Sequence, residues 1–290
     1  MRTDLAIAIC TRNRADRLRQ ALCAIGCIDT PRPWELIVVD NGSSDDTQAV
    51  LARFAHDFPR PLKVVYEREP GLGRARNRAW QTSSSDVIAF TDDDCYPSPD
   101  FAQKVLECFE DSRLHFLGGR ILLFDPTDFP ITVQLKEERL EIPPRSFIPA
   151  GLIQGANFAV RRDVLEAVGG FDPHLGAGTP FPFEDVDVLS RASAAGYVGA
   201  YDPRPVVFHH HRRKRGREVD KLIESYDIGR GAYYFSAILD ARRRYTYARR
   251  WIRLSYRRVR LDGDVRTVLN ELRGAAAYAS HRLCERLWGG

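Results

Sequence analysis

Asp92, Asp93 and Asp94 stand directly after the apolar run Val87-Ile88-Ala89-Phe90 and Thr91. A short apolar run bounded by polar residues reads as a buried strand. Carboxylates at the carboxyl end of such a strand lie where open α/β sheets bind ligands. Three adjacent like charges repel unless a cation neutralises them. Hard divalent ions such as Mg²⁺ or Mn²⁺ take oxygen ligands and are held by one or two carboxylates plus substrate phosphates. The triplet therefore points to metal-assisted chemistry on a phosphate-bearing substrate. Alone, it reads more readily as a solvated acidic turn, so other groups have to converge on it.

Four further groups are candidates. Asp40 ends a second apolar run, Leu36-Ile37-Val38-Val39; a carboxylate there accepts hydrogen bonds from a base or a ribose, or merely caps the turn into the next helix. Gly71-Leu72-Gly73-Arg74-Ala75-Arg76-Asn77 puts two glycines and two arginines at a loop-to-helix junction. Glycines let backbone approach a ligand, a helix start favours anions, and Arg pairs bidentately with phosphate. The stretch is neither a P-loop nor a dinucleotide fingerprint. Glu184-Asp185-Val186-Asp187 opens a helix. Asp187 suits a dipole partner and a helical pair with Arg191, whereas Glu184 or Asp185, beside Phe181 and Phe183, suits a general base. His209-His210-His211 follows a strand, so alternate imidazoles face opposite sides. One side can reach the metal of the aspartates; the opposing reading is a solvated basic edge, because no zinc-type spacing accompanies the triplet.

The elements that must position these groups alternate. Leu5–Cys10, Leu36–Val39, Lys63–Tyr66 and Val87–Thr91 read as strands; Arg14–Cys27, Ser44–Phe58 and Gly73–Gln81 read as helices, the second opened by N-capping Ser and Asp residues. Repeated βα units imply an α/β fold with a mostly parallel sheet flanked by helices. Beyond Pro97 the pattern is less regular. It predicts a helix over 101–110, a pair of strands within 116–124 and a mobile Pro-rich loop over 125–150. Helices over 163–168 and 185–195, strands over 197–201 and 206–208, and a mostly helical stretch from Glu218 complete it.

Composition bounds the rest. The 290 residues suffice for a substantial core, and 44% hydrophobic with 28% charged residues is ordinary for a soluble globular protein. No apolar stretch approaches the ~20 residues of a spanning helix, and Leu5–Cys10 is too short for a signal peptide. Six cysteines without metal-ligand spacing read as buried free thiols in a reducing, cytoplasmic setting. Charge is polarised: residues 1–203 carry 22 Lys and Arg against 30 Asp and Glu (−8), residues 204–290 carry 21 against 9 (+12). The C-terminal part is thus expected to meet something anionic.

Together the segments A-I-A-I-C-T-R-N-R, L-I-V-V-D-N-G-S-S-D-D-T, G-L-G-R-A-R-N-R-A, V-I-A-F-T-D-D-D-C, G-A-N-F-A-V-R-R, G-G-F-D, F-E-D-V-D-V and V-V-F-H-H-H resemble, in that order, glycosyltransferase family 2, inverting sugar-nucleotide-dependent enzymes of the GT-A fold. The resemblance spans residues 5–211. It implies a GT-A-type, Rossmann-like sheet whose nucleotide-sugar-binding half is 1–98 and acceptor-binding half 99–212, with a basic helical extension over 213–290. It also implies an Mn²⁺ or Mg²⁺ cofactor, a nucleoside-diphosphate sugar donor (a UDP-sugar foremost) and a glycan or lipid-linked acceptor. Thr11, Arg12, Arg14, Asp40, Gly71, Gly73, Arg76, Asp92 and Asp93 would face the donor. Asp94 and His209 would hold the metal, with Asp93 and His211 as their alternates; Asp185 would be the catalytic base; Gly155, Asn157 and Glu184 would lie on the acceptor side. Two departures stand out: Arg12 where an aromatic residue commonly packs on the base, and Phe183 where a small residue commonly precedes the acidic pair.

Within the extension, residues 241–258 interleave Arg with Tyr, Trp and Leu. That composition suits an anionic membrane surface first, a helix packed on the catalytic domain second and nucleic acid last. Two other functional classes compete: a nucleotidyltransferase, which would need a Gly-rich loop that residues 5–14 lack, and a non-catalytic membrane-associated assembly protein on a transferase fold.

Overall fold

Leu5–Thr11 (β1) and Trp34–Asp40 (β2) carry apolar side chains on both faces and are buried along almost their whole length. Strands of that kind need helices on both sides. A computed structural model describing residues 3–288 supplies them. Ala15–Gly26 (α1), Thr47–Asp57 (α2) and Phe101–Phe109 (α4) bury Leu18, Leu22, Val50 and Val105 against Ile7, Ile9 and Leu36. Leu72–Thr82 (α3), Arg162–Val168 (α5) and Glu184–Ala194 (α6) bury Ala75, Leu165 and Leu189 on the other face, against Ala8 and Ile37.

The nine strands form one sheet in the order β3-β2-β1-β4-β8-β6-β9-β5, with β7 also on β9. Leu62–Tyr66 is β3, Val87–Asp92 β4, Cys95–Pro97 β5, Leu114–Leu123 β6, Leu140–Ile142 β7, Phe158–Arg161 β8 and Val198–His209 β9. The first four strands are mutually parallel, and their register aligns Thr11 with Asp40 and Cys10 with Asp92. Three polar groups picked out from sequence thus leave the sheet at one level. The far half mixes directions: β8 runs antiparallel to β4 and β6, and β6 pairs parallel with β9.

Four expectations are corrected. The predicted strand pair within 116–124 is the single ten-residue strand β6. The two strands predicted over 197–208 are one, because the β6–β9 ladder slips between Gly118 and Arg120 and so passes the Asp202–Pro205 stretch, whose prolines cannot donate. The 125–150 segment is tied down rather than free. It contains β7 and buries Asp128, Ile142 and Ile148, and Asp128 accepts from the Arg212 amide (2.9 Å) and forms an ion pair with Lys214 Nζ (2.6 Å). All six cysteines are free, but only Cys95 and Cys108 are buried outright; Cys23, Cys27 and Cys284 are exposed.

The C-terminal stretch forms Arg217–Leu239 (α7), Arg244–Arg257 (α8), a π-helical turn over Arg258–Asp262, and Val265–Trp288 (α9). Helices α7 and α9 cross backbone to backbone: a Cβ at Gly231 would lie 1.8 Å from the Glu271 carbonyl oxygen, and one at Gly274 1.8 Å from that of Ile228. Beside the crossing, fully buried Glu271 accepts from Arg230 (2.5 Å), Trp251 (2.7 Å) and Arg258. The extension also enters the second core, where Tyr233 and Tyr247 share a 2.7 Å hydrogen bond and Tyr233 donates to the Ile148 carbonyl (3.1 Å). Among the described residues, no helix is long and apolar enough to cross a membrane.

Candidate active site

The carboxyl ends of β1 and β4 open into a cleft of about 790 Å³, and Asp92, Asp93, Asp94, Glu184, Asp185 and His209 all line it. Register explains the first three, since β4 ends beside β1. Thr91 also donates to the Ala156 carbonyl (2.8 Å), which fastens the acidic turn to the segment leading into neighbouring β8. Thr11 Oγ1 donates to Asp93 (2.7 Å). Arg14 bridges Asp93 (2.7 Å) and Asp94 (3.0 Å), and Arg17 adds a second guanidinium on Asp94 (2.9 Å). Burial lifts the Asp93 carboxyl to about 6 against the pull of Arg14. Burial also pushes Asp94 upward, but the hydrogen bond and charge of His209, with Arg14 and Arg17, hold it well below the ordinary carboxylate range.

His209 reaches Asp94 because β9 runs its full length beside β6 and ends against β5. Its Nε2 lies 3.3 Å from Asp94 Oδ1, and its Nδ1 is fixed by the Thr132 hydroxyl (3.1 Å) and carbonyl (3.3 Å). Burial favours the neutral ring, yet Asp94 raises its pKa overall. This donor set fits a divalent cation. Two ligands at right angles around an ion, each ~2.1 Å away, lie about 3 Å apart. A carboxylate beside an imidazole whose far nitrogen is already hydrogen-bonded is a metal-ligand arrangement. Cys95 Sγ lies in the same cluster, but burial keeps its thiol protonated, with a pKa well above the ordinary value, and hard cations prefer oxygen.

Across the cleft, Glu184 and Asp185 occupy the first turn of α6, where the helix dipole favours carboxylates. The residue before them, Phe183, has a left-handed backbone (φ 84°), an uncommon conformation for a bulky side chain. Its ring stacks at 6.2 Å on Tyr233 and tilts against Tyr226. Asp185 Oδ1 accepts from the Val186 amide (2.8 Å). Burial raises the pKa of both acids, and Arg76 opposes that rise in each. Asp187, two residues on, faces away. Its predicted pair with Arg191 is present (2.8 Å), and Arg243 of the extension adds a second at 2.8 Å. Those two arginines hold its carboxyl low despite burial.

Arg76 joins the two sides. Its guanidinium, 2% exposed, donates to Glu184 (2.5 Å), the Gly155 carbonyl (3.1 Å) and Asp92 (3.4 Å). It also sits over the rings of Phe90, Phe158 and Phe171 at 5.9, 5.1 and 5.9 Å. A side chain expected to face a phosphate is thus largely committed to the protein.

The remaining sequence candidates divide. Arg12, Gly71 and Gly155 line the cleft. Gly155 must be small there, since a Cβ would approach Arg76 Nη2 to 2.8 Å and Asp185 Oδ2 to 3.2 Å. Gly73 and Asn157 lie behind the wall. A Cβ at Gly73 would meet the Asp172 and Leu175 carbonyl oxygens at 2.4 and 2.9 Å, so packing of α3 on the 172–175 turn requires that glycine. The Asn157 amide donates to the Arg120 and Pro205 carbonyls (2.9 and 3.0 Å), tying β6 to β9 across their slipped register. Buried Asp40 accepts from the Ser43 amide through Oδ1 (2.9 Å), while its Oδ2 has no partner among the described residues. His211 points elsewhere, with Nδ1 3.7 Å from Asp128.

Sequence reasoning missed one wall. Leu222, Ser225, Tyr226 and Arg230 of α7 line the cleft, as do Arg213 and the Ile131–Val133 segment. Burial raises the Tyr226 phenol to about 12, so it stays a neutral hydrogen-bond donor, and no described residue accepts from it. No local signal marks these residues; tertiary docking brings them in.

Comparison with known proteins identifies the family and agrees with the fold. The sequence model of Glycosyl transferase family 2 matches residues 6–169. Glycosyltransferase AglE of Haloferax volcanii is 27% identical over 218 residues, 69% of this chain and 67% of that protein. A pre-mycofactocin glycosyltransferase of Mycobacterium tuberculosis is 26% identical over 72% of this chain, which spans only 43% of its length. Among solved structures, the mannosyltransferase PcManGT from Pyrobaculum calidifontis, in complex with GDP-Man and Mn²⁺, superposes with a TM-score of 0.61. It covers 100% of this chain and 88% of its own at 20% identity, which supports the GT-A-type fold alone.

Proposed function

Because this chain belongs to glycosyl transferase family 2 and is a glycosyltransferase, we propose that it moves a sugar from a nucleoside-diphosphate sugar to a hydroxyl acceptor in a single, inverting displacement. The observation that carries this reading is that Asp92, Asp94, His209 and Asp185 face one cleft. Asp94 and His209 would hold a divalent cation, Mn²⁺ or Mg²⁺, whose chemistry there is charge neutralisation of a diphosphate leaving group.

The chain's own residues do the rest. Asp40 Oδ2, buried and without a partner among the described residues, would accept a base N–H, which selects bases that carry an imino proton, such as uracil or guanine. Gly71 and Arg12 line the donor end, and Asp92 faces the ribose. Arg76 aims Glu184 and the Gly155 loop, so its part in donor binding is indirect. Asp185 takes the acceptor hydroxyl proton as that oxygen attacks the anomeric carbon. The bond to the diphosphate breaks as the new glycosidic bond forms, on the opposite face. A base whose pKa is raised by burial is better matched to neutral pH than an ordinary aspartate. Gly155, Phe183 and Tyr226 border the acceptor, a glycan or lipid-linked hydroxyl.

General-base help is worth ~10²–10⁴ in rate. Asp185→Asn should therefore lose most turnover and keep nucleotide affinity, and product NMR should show inverted anomeric configuration. Wild-type turnover in that variant, or a retained anomer, overturns the scheme.

A further inference from the structure

Helix α8 is two-faced. Arg243 and Tyr247 are buried, and Trp251 packs on the second core. The other face carries Tyr245, Ile252 and Tyr256, followed by Val259 in the π-helical turn, and these are 82%, 70%, 65% and 41% exposed. Their spacing places them on one side of a helix. The apolar stripe continues through the π-helical turn at Leu261, 74% exposed, and onto α9 at Val265, Leu269 and Leu272, again at helical spacing and about half exposed. Most of the exposed large apolar side chains in the described protein lie in α7–α9, although the extension is a minor part of the chain.

Charge surrounds this stripe with one sign. Residues 241–261 contain nine arginines and no acidic residue. Arg243 and Arg258 are spent on Asp187 and Glu271. Arg242, Arg249, Arg253, Arg257 and Arg260 are exposed, and no carboxylate pairs with them among the described residues.

We propose that the outer face of α8 and the start of α9 bind an anionic lipid bilayer, lying flat with Ile252, Tyr256, Val259 and Leu261 at the acyl boundary and the free arginines among the headgroups. An exposed apolar stripe rimmed by arginine matches an interfacial helix, and several unpaired basic residues supply the attraction to anionic lipid. A second copy of the chain is a poor occupant, because a two-fold contact would set this arginine cluster against itself. Nucleic acid would use the arginines but leave the aliphatic side chains in water. Attachment through such an interfacial face is peripheral and reversible. The proposal does not depend on the transfer reading, since binding is measured without substrate.

The experiment is co-sedimentation of the full chain with vesicles of equimolar phosphatidylcholine and phosphatidylglycerol, beside pure phosphatidylcholine. The chain should pellet with the anionic vesicles only, less so as salt rises. Arg249→Gln/Arg253→Gln/Arg257→Gln should weaken binding at least about tenfold, and Ile252→Ser/Tyr256→Ser/Val259→Ser should do so at low salt as well. Because these side chains are exposed, both variants should melt like wild type. Four results overturn the proposal: equal or absent binding to the two vesicles, an arginine variant that binds like wild type, tighter binding of duplex DNA or RNA at physiological salt, or a wild-type dimer that the serine variant dissociates.

Discussion

Replacing Arg76 tests whether one buried cation holds the two halves of the site together. Arg76→Met keeps much of the side-chain length between Phe90, Phe158 and Phe171 but removes the partner of Glu184, itself only 5% exposed. Breaking a buried ion pair from one side costs about 3–5 kcal/mol, and the lost cation–π contact adds up to ~2 kcal/mol. Removing both partners in Arg76→Met/Glu184→Leu should recover at least about 2 kcal/mol of that loss, since no buried charge is then left alone. The pH dependence has a definite sign. Burial already lifts the Glu184 pKa above its unfolded value and Arg76 opposes the rise, so Arg76→Met lifts it further. A carboxyl with a raised folded pKa contributes stability that is present below its unfolded pKa and lost as pH rises through the folded value. The gap between wild type and Arg76→Met, measured by urea unfolding, should therefore widen from acid to neutral pH. A gap below about 1 kcal/mol at neutral pH, or one that does not change with pH, refutes the pairing as the organising contact.

Other outcomes follow from the same geometry. Gly73→Ala drives a methyl toward two backbone oxygens at 2.4 and 2.9 Å and should cost about 1–3 kcal/mol in urea unfolding; a loss within ~0.5 kcal/mol would show that the 172–175 turn yields freely. Tyr226→Phe removes an unpartnered hydroxyl from the cleft and should raise acceptor KM by about fivefold, the worth of one hydrogen bond, with kcat nearly unchanged; an unaltered KM removes Tyr226 from the acceptor wall. Because the Asp185 pKa is raised by burial, kcat should fall with acidification before the ordinary aspartate range is reached, and a profile flat down to that range contradicts an ionised base.

Much of the candidate cleft was legible in sequence because its strands advertise themselves. The apolar runs ending at Thr11, Asp40 and Asp92 are buried on both faces, and parallel pairing of short βα units leaves little choice about which ends meet. The pairing of Asp187 with Arg191 was legible for the same local reason. What escaped is non-local. Two strands are predicted over 197–201 and 206–208, on either side of Pro203 and Pro205, and only the slipped β6–β9 register shows that one strand runs through. Thr132, which orients His209 at 3.1 Å, comes from a segment whose prolines read as a free loop. Arg76 and Asn157 have the side-chain chemistry of ligand contacts, but their partners are Glu184, Gly155, Arg120 and Pro205, far along the chain. The α7 wall had no signal, because the helix reaches the cleft through core packing and the Arg243–Asp187 dock.

The decisive measurement is calorimetric titration of a panel of UDP- and GDP-sugars, with and without Mn²⁺, into wild type, Asp94→Ala and Asp185→Asn. One donor should bind wild type and Asp185→Asn only when Mn²⁺ is present, with affinity at least about tenfold weaker in Asp94→Ala. Metal-independent binding, or equal affinity in Asp94→Ala, would contradict metal-assisted donor binding at Asp94.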